Sequence, residues 1–397
     1  GADRAVKEII SPGTFMNYAD TTTSNIMSVY IEKITNNFIA VGISIIDVST
    51  GNNYVYQIGE NLDPDYWRDE MSRLINNYSP KEYIFQTKEF ELTHEDIVNY
   101  WDVHTQSVQI NHYTDNTFQS IAYQNEFLQK IFKFESLITP IEHLNMTHND
   151  ELRCSYIYLL QYIYEHNEGI IKNINEPQKV SDIHHMVIAC NGVRQLNVIQ
   201  NYSYYKGKNE SLYSICDECG FIGGKRLLKE RLLYPSIDKD IINSRYNKIE
   251  SCMKDKFYKE LRPNISKLTD TEKSLRKMGI DQLSPHMFLN TKSSYDFIIR
   301  IIKSLDNNKD LISHFAEYFE DLSKFNTFYE HIYRIFDFKN MVTNDKPYFK
   351  TGVYPDLDEV YQKTKESMNH LELISNRLSS IIDSKKDGAC KLDNNDK

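Results

Sequence analysis

Glycine and proline are scarce in this chain, at 14 and 10 of 397 residues. That scarcity excludes collagen-like and low-complexity classes and leaves few breakers, so most of the chain must adopt regular structure. Long apolar runs are missing as well. None approaches the roughly 20 residues needed to cross a bilayer, so no membrane-spanning helix is expected. Cysteine is sparse: Cys154, Cys190, Cys216, Cys219, Cys252 and Cys390 are spread along the length, and no secretory leader precedes them. A chain of this size needs no disulfide scaffold, and reduced thiols in an intracellular compartment are expected. An excess of positive charge is absent too. The net charge of −10 excludes a surface that coats nucleic acid throughout, but it leaves room for a local basic tip or channel. What is present, 40% hydrophobic and 26% charged residues, suits two or three domains with a sizeable core.

The first part alternates strand and helix patterns. "SNIMSVYIEK" and "FIAVGISIIDVSTGNNYVYQIG" carry β-branched runs, the second folded around Ser49–Asn53. "DPDYWRDEMSRLINNYS" has helical spacing at Trp67, Met71, Leu74 and Ile75, with Asp63 before Pro64 as its start signal. "KEYIFQT" and "TQSVQINHY" read as strands on either side of the helix "THEDIVNYWDV". The expectation is an α/β domain over residues 1–118. Beyond it strands largely vanish. "DELRCSYIYLLQYIYEHN" reads as a buried helix from Leu152, Ile157, Leu160 and Ile163, and further helices follow. In residues 351–397, Leu357, Val360, Thr364, Met368, Leu371 and Ile374 recur at spacings of three and four on a polar background. That is the pattern of a long amphipathic or coiled-coil helix.

Motifs that would carry chemistry fail one by one. Cys216 and Cys219 form a single Cys-x-x-Cys, and no second ligand pair stands at a suitable distance for a four-ligand zinc site. Gly224-Lys225 lacks the first glycine of a phosphate loop, because Cys219 stands there. It also lacks the magnesium-binding hydroxyl, because Arg226 follows. Lys225, Arg226, Lys229 and Arg231 alternate with leucines, which reads as the solvated face of an amphipathic helix. Asp47, at the end of "ISIID", could open a two-metal nuclease cluster, but the neighbouring strands offer no further carboxylate, and a turn role is expected. His94, His104, His112, His143, His184 and His185 show no ligand spacing. No catalytic, metal or cofactor-binding residue is therefore expected in this chain.

Taken in order, the pieces resemble the middle of a MutS-type DNA mismatch repair protein. "VKEIISPGT" is similar to the family's passage into its connector domain, and "VGISIIDVSTG" to the connector's first hairpin. "MVIACNGVRQLNVIQN" resembles the opening of the core, through Arg194, Leu196 and Val198. "SLYSICDECGFIGGKRLLKERLLYPSI" is similar to the segment that follows, through Gly224, Arg226, Leu227, Leu228, Leu232 and Pro235. "IINSRYNKIE", "DTEKSLRKM" and "GVYPDLDEVYQ" continue the series in order. The resemblance implies an RNase H-like α/β connector (1–118) without nuclease function, a mostly helical core and lever domain (119–350), and a long projecting lever helix leading into the clamp (351–397). It implies that the chain is a non-catalytic part of a longer DNA-dependent ATPase. ATP and Mg²⁺ would bind in a domain outside this chain, as would the family's Phe-x-Glu wedge; Phe315-Ala316-Glu317 matches the wedge by chance. It also implies a parent homo- or heterodimer that grips duplex DNA through the clamp and meets a MutL-type partner at the connector. Lys385, Lys386 and Lys391 are the candidate DNA-backbone contacts. A relative acting in recombination, and an RNase H-like nuclease, are the alternative readings.

Overall fold

The computed structural model describes residues 9–15, 23–35, 38–59, 65–101, 103, 107–112, 117–180, 185–186, 188, 190–199, 210–306, 315, 322–343 and 346–382. The chain divides into two compact units, Gly1–Ser284 with Asn290–His314, and Pro285–Leu289 with Phe315–Lys397.

The first unit is organised by a mixed sheet. Strands β1 (Asn25–Thr35), β2 (Phe38–Asp47) and β3 (Asn53–Ile58) run antiparallel in succession. β4 (Glu82–Lys88) joins parallel to β1, and β5 (Val108–His112) parallel to β4. The two-residue β6 (Gln178–Lys179) extends β3, giving the order β5-β4-β1-β2-β3-β6. Both faces are covered, which is why β1 and β2 read as nearly unbroken apolar runs. Because side chains alternate across a strand, Met27, Val29 and Ile31 of β1 and Val41, Ile43 and Ile45 of β2 share one face. They pack there with Trp67, Met71 and Leu74 of α1 (Tyr66–Tyr78) and with Ile97 and Trp101 of α2 (His94–Trp101). Asp63 and Pro64, the expected start signal of α1, lie outside the described residues.

The other face is covered by helices that come later in the chain. α3 (Ile121–Phe132) and the short α4 (Pro140–His143) lead to α5 (Asp150–His166), and α6 (Glu168–Ile171) follows. Leu152, Tyr156, Leu160 and Ile163 of α5 form one core with Ile26, Ile46, Val55 and Ile84 of the sheet. The sheet residues under α5 include the small Gly42, Ser28 and Ser44, so its backbone lies close to the strands. Ser155 Oγ donates to Ser28 O at 2.9 Å. The buried helix expected from spacing thus packs on the sheet, although it lies beyond residue 118. Of the opening stretch, residues 9–14 are described. Ser11 Oγ (2.6 Å), the Gly13 amide (3.1 Å) and Tyr162 Oη (2.7 Å) all donate to the buried carboxylate of Glu82, fastening the start of the chain to the base of β4.

From here the chain is helical: α7 (Cys190–Gln195), α8 (Leu212–Cys216), α9 (Ile222–Leu233), α10 (Lys239–Met253), α11 (Tyr258–Ile265), α12 (Thr271–Gly279) and α13 (Pro285–Asp306). The second unit contains Leu322–Ile335, Phe338–Thr343 and the 28-residue helix Pro355–Ile382. Before that last helix Gly352 has φ +89°, and its amide donates to Asp358 Oδ2 at 2.7 Å. Pro355 at the first helical position needs no amide partner. Leu357, Val360, Met368, Leu371 and Ile374, the residues at the three-and-four spacing, are all exposed. No described helix is long and apolar enough to cross a membrane.

Candidate coupling interface

The stretch "CDECGFIGGKRLLKERLLYP" builds one side of a junction between the helices and the sheet. Ser211 caps α8 through the Ser214 amide (3.0 Å), while the Ser211 amide donates back to Ser214 Oγ (2.9 Å). Cys216 ends that helix exposed, and Cys219 sits half-buried in the loop that follows, so the pair does not lie on a single helix. Among the described residues no group of three His, Cys, Asp or Glu side chains could hold a metal ion. Asp217 organises the loop, accepting from the Cys219 amide at 3.2 Å and from Lys225 Nζ at 2.8 Å. Burial works against its charge, but these bonds prevail and hold its carboxyl below the usual range. Burial, then the nearby Asp217 charge, pushes the Cys219 thiol up. Gly223 has a packing role. A Cβ there would fall 2.5 Å from the Phe221 ring.

Of the basic residues of α9, Arg231 is exposed, but Arg226 and Lys229 are turned inward. Arg226 is half-buried and forks onto the next part of the chain, with Nη1 to Asp270 Oδ2 at 2.7 Å and Nη2 to Asp270 Oδ1 at 3.0 Å and to Glu272 Oε2 at 2.7 Å. Lys229 faces the sheet layer and donates to Ser79 Oγ, after the end of α1, at 3.3 Å; burial lowers its pKa. Leu227 is instead 44% exposed. The alternation of basic and apolar residues was legible, but which face turned inward was set by the carboxylates of α12 and by the sheet end.

α12 supplies the other side. Asp270 caps it, accepting from the Lys273 amide at 3.3 Å. One turn from its end, Arg276 is 4% exposed and reaches into the sheet layer. Its guanidinium donates to the carbonyls of Lys172 (2.6 Å) and Asn173 (3.1 Å), to Ile170 O, and more weakly to Val48 O (3.5 Å). These are the orphan carbonyls at the end of α6 and a carbonyl of the β2–β3 turn. Asn173 Nδ2 donates back to Gly279 O at 2.7 Å. Gly51, at φ +80°, lies against the Arg276 stem, where a Cβ would stand 3.1 Å from Cδ. The sequence "DTEKSLRKM" resembles its family counterpart in order, but nothing in it marks Arg276. Its partners are backbone atoms 103 to 228 positions away, which leave no side-chain pattern.

Between α9 and the sheet end lies a groove of about 640 Å³ lined by Asn25, Tyr54, Tyr78, Arg226, Lys229 and Glu230, among others. Below it, Arg73 of α1 is buried with Glu70 at 2.6 Å, and Glu70 also accepts from Tyr56 Oη at 2.8 Å. The Arg73 guanidinium lies 5.4 Å from the centre of the Tyr234 ring, just past α9. Asp47, the one residue that invited a nuclease reading, fastens its turn. Oδ1 accepts from the amides of Ser24 (3.1 Å) and Ser49 (3.0 Å) and from Ser49 Oγ (2.7 Å), and Oδ2 from Thr50 Oγ1 (2.8 Å). Lys385, Lys386 and Lys391 lie outside the described residues.

The Arg226–Asp270 pair has a testable pH signature. Burial opposes the Asp270 charge, but the Arg226 hydrogen bonds and charge outweigh it and hold the carboxyl below its usual range. A depressed pKa gives stability that is present above the unfolded value of about 3.9 and is lost as pH falls through the folded value. Urea melts of the wild type and of Asp270→Asn should differ by about 1–3 kcal/mol at pH 7. The difference should hold to about pH 5 and shrink below about pH 4.

The fold and this junction make a two-faced mixed-sheet layer bonded to a helical array through Arg276. Comparison with known proteins gives the family. Residues 191–387 match the model described as MutS domain III. Over 99% of its length the chain is 26% identical to the mutS homolog L359 of Acanthamoeba polyphaga mimivirus, covering 38% of that protein. It is 26% identical to the DNA mismatch repair protein MutS of Petrotoga mobilis (90% of this chain, 40% of that one). For the MutS of Caldanaerobacter subterraneus the identity is 27% (82% and 35%). The chain belongs to the MutS family of DNA mismatch repair proteins, and it spans about two fifths of the length of these relatives.

Proposed function

We propose that this chain is the non-catalytic connector and lever part of a MutS homologue, relaying motion between a DNA-gripping clamp and an ATPase that lie outside it. The observation that carries the reading is the junction itself. Helices of the domain III match are tied to the sheet layer by Arg276, through bonds that serve position and no reaction. In this reading residues 1–118 are an RNase H-like connector, 119–350 the core and lever, and 351–397 the helix leading to the clamp. Support for the connector comes from its three antiparallel strands followed by two that add parallel on the β1 side. The parent protein would hydrolyse ATP with Mg²⁺, bind mispaired duplex DNA as a homo- or heterodimer, and engage a MutL-type partner at the connector. A relative serving recombination would use the same parts, and a Phe-x-Glu wedge in the parent favours mismatch repair.

The isolated chain should bind duplex DNA weakly and hydrolyse no ATP. Binding should fall with salt as backbone contacts do, and a K385Q/K386Q/K391Q variant should bind more weakly still. Robust ATP hydrolysis by the purified chain would refute the assignment.

A further inference from the structure

We infer that α12 is a strut that holds the free end of α9 at its distance from the sheet, and that α9 pivots at its other end on Arg73. Three observations place the parts. The first turns of α9 are gripped by α12 through Arg226 on Asp270 and Glu272. The last turn of α12 is fixed in the sheet layer by the Arg276 guanidinium on four carbonyls. The C-terminal end of α9 rests on the sheet layer through Tyr234 against Arg73, and the chain just beyond it is held by an isolated bridge between Ser236 and His185. Between strut and pivot lies the open groove, crossed by Lys229 to Ser79 at 3.3 Å. The strut is braced from behind, where the Thr269 amide donates to the fully buried Ser294 Oγ of α13 at 3.0 Å.

The two arginine joints act in series. Breaking either one frees the same end of α9, and breaking both frees nothing more. Joints acting in parallel would give additive effects instead. The joints also differ in kind. Arg226 bonds carboxylates that titrate, whereas Arg276 bonds carbonyls that do not. This inference concerns the mechanics of the chain and stands apart from its role in a MutS protein.

The experiment measures spin-label distances in the full 397-residue chain. One label sits on Cys216, before the free end of α9, and one on Glu95→Cys of α2; Cys190, Cys219, Cys252 and Cys390 are replaced by serine, and the buried Cys154 is left in place. A second pair, Glu95→Cys with Ile237→Cys and with Cys216 also replaced by serine, reports the pivot end. A helix of this length spans about 18 Å, so a swing of about 10° moves its free end by about 3 Å. Arg226→Ala and Arg276→Ala should each lengthen or broaden the Cys216 distance by that amount, the double variant by no more, and the Ile237 distance should hold. The variant D270N/E272Q releases the grip without touching the pin and should match Arg226→Ala, which covers the case that Arg276→Ala does not fold. Additive shifts, equal movement at both ends, or no shift in the folded variants would overturn the strut.

Discussion

Replacing Gly42 with valine should abolish the native sheet layer at room temperature. A Cβ at that position would stand 2.3 Å from the carbonyl carbon and oxygen of Glu151 and 2.4 Å from the amide nitrogen of Leu152. These are backbone atoms of α5, the central helix on that face of the sheet, and backbone cannot swing aside as a side chain can. To admit even one methyl group, α5 must lift off β2 and open the core it shares with Ile26, Ile46 and Ile84. Overpacking of this kind costs about 1–3 kcal/mol where neighbours adjust, and more where they cannot, against a total of about 5–15 kcal/mol for a domain. The chain has two tryptophans, Trp67 and Trp101, and both lie in the core on the opposite face of the sheet. Their fluorescence therefore reports this layer. Urea unfolding should show Gly42→Ala strongly shifted to lower denaturant and Gly42→Val without a folded baseline.

The second large effect is expected at Arg73. Arg73 and Glu70 expose 5% and 2% of their side chains, and their charges meet at 2.6 Å. Removing the cation alone, as in Arg73→Met, leaves Glu70 buried with Tyr56 as a donor. Such a loss costs about 3–5 kcal/mol, whereas removing both charges is often close to neutral. Arg73→Met should therefore lower stability by about that amount, and E70Q/R73M should recover at least about half of it. A double variant no more stable than the single one would show that packing under Tyr234, rather than charge pairing, is what Arg73 provides.

Much of the sheet layer was legible because its signals are local. β-branched runs, the turn at Ser49–Asn53 and the three-and-four spacing of α1 gave strands β1 to β5 and helices α1 and α2 in order. The burial of α5 was legible from Leu152, Ile157, Leu160 and Ile163, but its partner was not. Periodicity says that a face is buried and does not say against what. Nothing in "VGISI" announces that Gly42 is the contact point of a helix more than 100 residues later. The junction was the least legible part. α12 buries Lys273, Arg276 and Lys277 while Leu275 is 49% exposed, so hydropathy points to the wrong face. The solvated reading of α9 holds for Arg231 but not for Arg226 and Lys229, which find the carboxylates of α12 and the sheet end, and no local pattern records that. Family resemblance placed Arg226 at a recurrent position, but its partners became visible only in three dimensions.

The most direct test of the relay uses a reversible lock across the groove. Lys229 and Ser79, 3.3 Å apart at their polar tips, are replaced by cysteines in the longer protein that the proposed function makes an ATPase, with its other reactive thiols removed. The two are then joined by a reducible crosslinker. If the segment transmits motion, the locked protein keeps its basal ATP hydrolysis, loses the stimulation by mispaired DNA, and regains it on reduction. Full stimulation in the locked protein would contradict the account.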